Sequence, residues 1–268
     1  MTRHKTSSRL LAMLLSLILV IGVLPTTVFA DGHVAYIGNT GYATLAQAVS
    51  QADPGDTILL TADDSTAQQI EIIENLTIEL DGHSLPSTAF KITAGTVTIG
   101  DRKGTGTING NNAAGFQASE NTRCYSSIYI TGTADVTLNN LRVEQCGAAD
   151  LEKAIFLGGS ASLTINGGNY TGPKDAGVDA IFYYNNNTSS SLTINDGHFE
   201  ANCALSVNKT PGTGGGTLVI RKATFVGNGT AFWIEQEYGG VTTQEDAERF
   251  LADSSGSYIV GSFDQANI

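Results

Sequence analysis

Four aromatic residues stand at one place in a recurring four-residue phrase. The phrase reads Ala89-Phe-Lys-Ile92, Ser127-Ile-Tyr-Ile130, Ala154-Ile-Phe-Leu157, Ala180-Ile-Phe-Tyr183, Ala204-Leu-Ser-Val207 and Ala231-Phe-Trp-Ile234. Its third position holds Lys91, Tyr129, Phe156, Phe182, Ser206 and Trp233. Lysine and serine do not suit a dry core, so this position is expected to face water. Phrases stacked as neighbouring strands lie about 4.7–4.9 Å apart. Tyr129, Phe156 and Phe182 would then form an unbroken row, with Trp233 two phrases further on. Solvent-facing aromatic rings suit the flat apolar faces of sugars, which makes these four the candidate ligand-binding residues. The competing outcome is burial of the row beneath a loop or the C-terminal helix.

Acid–base chemistry needs different groups. Cleaving a glycosidic bond takes two carboxyls facing it at about 5–5.5 Å or about 6.5–9.5 Å. The third position of the phrase carries no carboxylate. Other candidates sit in bends: Asp175 and Asp179 around a glycine, Asp196 beside His198, Asp101-Arg102-Lys103, and His83 after Asp81-Gly82. Each reads first as a turn residue or a solvated charge. Asp175 and Asp179 offer two carboxylates where calcium takes six to eight oxygens, so calcium is unsupported and no cofactor is expected. No catalytic set is assigned.

The elements that would carry these groups are marked by a second phrase: Asn75-Leu-Thr-Ile78, Thr96-Val-Thr-Ile99, Asp135-Val-Thr-Leu138, Ser162-Leu-Thr-Ile165, Ser191-Leu-Thr-Ile194 and Thr217-Leu-Val-Ile220. Its starts are 21, 39, 27, 29 and 26 residues apart. Strands are kept while loops vary, the pattern of a coiled stack of repeats. Period two sends Leu163 and Ile165 inward and Thr164 outward, and the later repeats make the same choice. A third, weaker element ends near Leu85, Ile108, Val143, Tyr170, Phe199 and Phe225. Each repeat thus predicts about three short strands separated by bends. Asn139, Asn166 and Asn195 follow an inward residue in consecutive repeats and are expected to form an amide ladder along the stack.

Open strand edges need covers. Residues 31–56 predict a strand and a capping helix, since Thr44-Leu-Ala-Gln47 is a capping box and Leu45, Ala48, Val49 and Ala52 share one helical face. Pro54-Gly55-Asp56 ends that helix, and Thr57–Leu60 reads as the next strand. Residues 57–268 predict the stack, closed by a helix with Ala247, Phe250 and Leu251 on one face and by a strand at Tyr258–Val260.

Residues 1–30 read as a secretory signal peptide: a basic start (Arg3, Lys5, Arg9), an apolar run from Leu10 to Leu24, and Val28-Phe29-Ala30 at the cleavage site. The run is short for a membrane span, so cleavage is expected over retention as an anchor. The signal holds three of the 14 Lys+Arg and none of the 26 Asp+Glu, which leaves the mature chain at a net −15. That charge repels nucleic acid, anionic membranes and acidic polymers. It also serves solubility. A monomer is expected outside the cell. Of three cysteines, Cys124 and Cys146 fall in neighbouring repeats and could bond, and Cys203 reads as small buried filler.

The opening Tyr42-Ala-Thr-Leu-Ala-Gln-Ala-Val49, then Gly55-Asp-Thr-Ile-Leu-Leu60 and Leu76-Thr-Ile-Glu-Leu-Asp-Gly-His-Ser-Leu85, resembles secreted bacterial members of the pectin-lyase-like superfamily. Leu163-Thr-Ile-Asn-Gly-Gly-Asn-Tyr170 and Leu192-Thr-Ile-Asn-Asp-Gly-His-Phe199 are similar to its coils. The resemblance covers nearly all of the mature chain. It implies an all-β fold, a right-handed parallel β-helix with a short N-terminal capping helix and a C-terminal helix. For activity it implies little, because the superfamily mixes lyases, glycosidases, tailspikes and adhesins. A lyase of this kind would carry acidic calcium ligands and a basic residue on one exposed sheet, and that set is missing. The expected function is non-catalytic carbohydrate binding or adhesion at or outside the cell surface, with a polysaccharide or cell-surface glycan as partner. The alternatives are a polysaccharide lyase or glycoside hydrolase with a loop-built site, and a structural spacer of a surface protein.

Overall fold

The computed structural model describes residues 32–110, 116–117, 125–144, 152–173, 178–208, 216–227, 231–235, 239–241 and 258–267. The expected signal peptide, Cys124, Cys146, Asp175 and the expected C-terminal helix lie outside the described residues. Of the expected closing strand, only the backbone of residues 258–267 is described.

The entry is a small antiparallel unit. Strands β1 (Ala35–Ile37) and β2 (Thr40–Tyr42) pair as a hairpin, and β1 also pairs antiparallel with β3 (Thr57–Leu60). Between them runs α1 (Leu45–Gln51), the one helix among the described residues. Thr44 Oγ1 accepts from the Gln47 N–H at 3.2 Å, and Gln47 Oε1 accepts from Ala43 N–H rather than from Thr44 itself. Leu45 and Ala48 are buried, with Val49 and Ala52 packed against the same core.

Beyond it the chain alternates between two sheets whose neighbours along the repeats are parallel. The first sheet takes β3, β5 (Leu76–Glu79), β7 (Thr96–Gly100), β11 (Asp135–Glu144), β13 (Ser162–Thr171), β15 (Ser191–Glu200), β17 (Thr217–Gly227) and β20 (Tyr258–Asn267) in that order. The short β8 (Thr107–Asn109) joins β11. The second sheet takes β4 (Gln68–Ile72), β6 (Thr88–Ile92), β10 (Tyr125–Ile130), β12 (Glu152–Leu157), β14 (Asp179–Tyr184), β16 (Cys203–Asn208) and β18 (Phe232–Glu235). At its margins β9 (Phe116–Gln117) and β19 (Gly239–Val241) pair antiparallel with β10 and β18. Apart from the entry hairpin and the short β8, β9 and β19, each strand bonds with its counterpart one repeat away while its successor in sequence lies in the other sheet. This is an all-β fold built on parallel sheets.

Parity places the core. Val136, Leu163, Leu192 and Leu218 are in register, as are Leu138, Ile165, Ile194 and Ile220, and all are buried. Each buried Leu or Ile contributes about 1.5–3 kcal/mol, and matched rows repeat that gain at every strand. The third elements also close on this core. Tyr170, Phe199 and Phe225 stack with centroids 5.0 and 5.3 Å apart, and the Tyr170 hydroxyl, whose pKa burial pushes up, donates to Gly167 O at 3.1 Å.

In one respect the strands differ from expectation. The first and third elements of four repeats fuse into single strands of ten or eleven residues. The corner survives inside three of these strands, where positive-φ residues step out of the paired register and pairing resumes beyond them: Asn140 at φ 53°, Gly167 at 84° with Gly168 at 110° after it, and Gly197 at 149°. Asparagine and glycine are the residues that enter that region at least cost.

Candidate functional site

The outward row of the second sheet is assembled as the phrase implies. Backbone register aligns Lys91, Tyr129, Phe156, Phe182, Ser206 and Trp233 one strand after another. Glu71 of β4 extends the row at its start and pairs with Lys91 Nζ. Reading the phrases alone missed this carboxylate, because β4 does not repeat their wording.

The aromatic rings stack as expected, at 4.9 Å for Tyr129 on Phe156 and 5.8 Å for Phe156 on Phe182. They form a cluster of their own, apart from the main core. They are not open to water: Tyr129, Phe156 and Phe182 are 3 %, 0 % and 5 % exposed. The solvent-facing stripe is thereby corrected to a covered one. One reason is visible in the packing. Tyr184 packs against the cluster, and the Phe156 ring folds along its strand over Gly158, where an added Cβ would meet the ring edge at 2.9 Å. The Trp233 side chain lies outside the described residues.

A charged pair is buried against the same cluster. Lys153 Nζ lies 2.5 Å from Asp179 Oδ2 and 5.5 Å from the Phe182 ring centroid. Lys153 is 2 % exposed. The carboxylate and the ring's negative face together offset the loss of water around the ammonium. Register sets Ser126, Lys153, Asp179 and Cys203 in one line. Ser126 Oγ is buried and has no hydrogen-bond partner among the described residues. Cys203, buried, directs its thiol to the Leu205 carbonyl at 3.3 Å, in keeping with a filler role. Asp179 is thus a strand residue with an ammonium partner, which the reading of it as a turn residue missed.

The remaining candidates are held by structural contacts. Asp101 accepts three backbone N–H groups, from Gly82 at 2.7 Å, Lys103 at 3.1 Å and Gly106 at 2.7 Å. The Lys222 ammonium, 2.9 Å from Asp196, holds that carboxyl below its ordinary value against slight desolvation. His198 meets Glu200 at 3.2 Å, and His83 lies 3.6 Å from Asp63. Among the described residues no group of three or more His, Cys, Asp or Glu side chains could hold a metal ion.

A second place of interest lies on the first sheet. A cleft of about 270 Å³ is lined by Thr77, Glu79, Thr98, Arg102, Asn139 and Asn140, among others. Glu79 Oε1 accepts the Arg102 backbone N–H at 2.9 Å and lies 3.5 Å from its guanidinium, so the charges in the cleft are paired with each other. From its wall the amide ladder sets out. Asn166 Nδ2 donates to Asn139 Oδ1 at 2.9 Å, and Asn195 Nδ2 donates to Asn166 Oδ1 at 2.7 Å. The ladder continues across a register shift after Ile165, where the backbone pairs Asn166 with Asp196.

No protein-family model, curated protein or solved structure matches the chain.

Proposed function

We propose that this chain is a secreted, right-handed parallel β-helix that acts outside the cell without catalysis, as a stiff scaffold or spacer of the surface-protein type. The alternation of the chain between two parallel sheets, with matched inward rows from Val97 to Ile220, supports the winding. The observation that carries the functional reading is the covered aromatic row. Sugar recognition through Tyr129, Phe156 and Phe182 needs ring faces open to water, and these rings spend their faces on one another. The candidate carboxylates are taken up by other groups, Asp101 by backbone N–H groups, Asp196 by Lys222 and the strand residue Asp179 by Lys153, which weighs against a loop-built glycosidase or lyase site. Cleavage after Ala30 would deliver the scaffold to the outside.

Two measurements on the secreted protein test this reading. N-terminal sequencing is expected to begin at Asp31. Small-angle scattering is expected to give an elongated rod that leaves a broad panel of polysaccharides uncut. Release of reducing ends or unsaturated products from any of them would overturn the non-catalytic assignment, and a compact sphere would overturn the winding.

A further inference from the structure

Lys91–Glu71, Lys103–Asp81 and Lys222–Asp196 are ion pairs at the surface, where water reaches both partners. Lys153–Asp179 is of another kind. Its side chains are 2 % and 11 % exposed, and Nζ lies 2.5 Å from Oδ2. The two residues are direct register partners on adjacent parallel strands, β12 and β14. The backbone ladder therefore sets their separation, and neither side chain has to search for the other. Phe182 of the aromatic cluster lies beside them, its ring centroid 5.5 Å from Nζ. Their neighbours in register, Ser126 and Cys203, are small and bring no second charge. The Ser126 hydroxyl is buried and has no hydrogen-bond partner among the described residues.

We propose that Lys153 and Asp179 are a modification site, at which the ion pair condenses to an intramolecular amide that staples two consecutive repeats. The step balances within the pair. One proton passes from the ammonium to the carboxylate, which leaves a neutral amine and a neutral acid. The Nζ lone pair adds to Cγ, the C–N bond forms, and the carbonyl electrons move onto oxygen. Those electrons return as the Cγ–OH bond breaks, and the hydroxyl departs with a second amine proton as water. Ser126, donor and acceptor at once, stands on the strand beside Lys153 to hand that proton across. No oxidant, reductant or further reactant is consumed. The carboxyl carbon is one bond beyond Oδ2, so Nζ stands near the about 3–3.5 Å at which reacting atoms are poised. Dryness favours the product. An ion pair in such a site loses hydration that its attraction does not fully return, whereas the amide is neutral. Exclusion of water also protects the amide from hydrolysis. The surface pairs have the same groups without the dryness. The new bond closes a loop of one repeat, so β12 and β14 stay joined even where the ladder between them opens. It forms once, without turnover, and does not depend on the scaffold reading.

Mass spectrometry of the secreted protein, unfolded and with its thiols reduced, tests the proposal. From its measured N-terminus, the intact chain is expected to be lighter than its sequence by the mass of one water. After trypsin, the peptide Val143–Lys174, uncut at Lys153, is expected to be joined to the peptide Asp175–Lys209 as one branched species. Lys153→Arg keeps the cation but has no amine to form this bond, and is expected at its full sequence mass. The branched peptide is read from the wild type, so the outcome does not require the variant to fold. A wild-type chain at full mass overturns the proposal and leaves a buried ion pair. So does a loss of water that persists in Lys153→Arg, or one that maps to Asp81-Gly82 or Asp196-Gly197, where an aspartate before glycine can cyclise to an imide.

Discussion

The Asp64 carboxylate accepts the backbone N–H of Leu45 at 2.8 Å across nineteen residues of chain. It thereby fastens the first turn of α1 to the strand layer below it. The same carboxylate takes the Gln68 amide at 2.8 Å and the Thr66 N–H at 3.0 Å. Gln68 in turn bonds Ala46 N–H and the Thr88 hydroxyl. A negative group at a helix start is favoured twice, by the orphan N–H groups and by the helix dipole. The covering helix and the first repeats are thus one hydrogen-bonded unit.

Removing that clamp has a calculable effect. Asp64→Ala leaves the Leu45 and Thr66 N–H groups and the Gln68 amide short of an acceptor. A loss of about 2–3 kcal/mol in unfolding free energy is expected from charge-assisted bonds of this kind. Asp64→Asn keeps one acceptor oxygen and should lose about half as much. Urea unfolding followed by circular dichroism measures both. Equal stability of the alanine variant would show that the helix is held by its apolar face alone.

The same group gives a pH dependence. Burial pushes the Asp64 carboxyl upward, but the bonds from Leu45, Gln68 and Thr66 outweigh it and hold the group below its ordinary value. A carboxyl depressed in the folded state stabilises above its unfolded value of about 3.9 and loses that contribution as pH falls through the lower folded value. The gap between wild type and Asp64→Asn should therefore be full at neutral pH and shrink below about pH 4. A gap that widens on acidification would reverse the assignment.

What the residues alone reveal follows from periodicity. The inward rows and the Asn139–Asn166–Asn195 ladder rest on identities that recur at matching positions, and both are found in the structure. The Thr57–Leu60 strand and the Thr44 cap were legible from local signals, although Gln47 takes the Ala43 N–H in place of the reciprocal bond of a capping box. The fused long strands were not legible, because whether a ladder survives a corner depends on one backbone torsion at Asn140 or Gly167. Nor was the cover over Tyr129, Phe156 and Phe182. Parity tells which side of a sheet a ring leaves from, and not what lies on top of it. Asp179 reads as a turn residue in isolation, and only strand register brings Lys153 beside it.

Asn166 sits at the middle of the amide ladder, donating to one neighbour and accepting from the other. Asn166→Ala breaks both bonds and should lower stability by about 1 kcal/mol, the value being modest because water reaches the exposed amides. Asn139→Ala removes one bond and should lose less. A double variant at Asn139 and Asn166 is then expected to lose less than the two single effects combined, since both remove the same bond. Strict additivity in unfolding measurements would mean the ladder contributes nothing as a network.

The corner glycines separate two kinds of constraint. Gly167 has φ 84° with nothing within 4 Å of where a Cβ would sit. Its alanine variant carries only the left-handed penalty, about 1–2 kcal/mol. Gly168, at φ 110°, would place a Cβ 2.3 Å from the Leu141 carbonyl oxygen of the neighbouring strand. Gly168→Ala must also push β11 and β13 away from each other where they bond, so a loss above about 3 kcal/mol is expected. Comparing the two thermal midpoints measures the steric contribution, and equal losses would refute it.

The Lys153–Asp179 pair is the sharpest energetic test of the covered face. With Lys153 at 2 % exposure, Lys153→Met removes the ammonium but leaves the Asp179 carboxylate with less compensation in a nearly dry site. Either single replacement, Lys153→Met or Asp179→Leu, should therefore lower stability by about 3–5 kcal/mol. Replacing both removes the stranded charge as well as the bond, and the methionine can still lie along the Phe182 ring. The double variant should then be more stable than either single one, a coupling read from urea unfolding of the four proteins. Losses that simply add would mean water reaches both groups and that the aromatic row beneath them is wet as well.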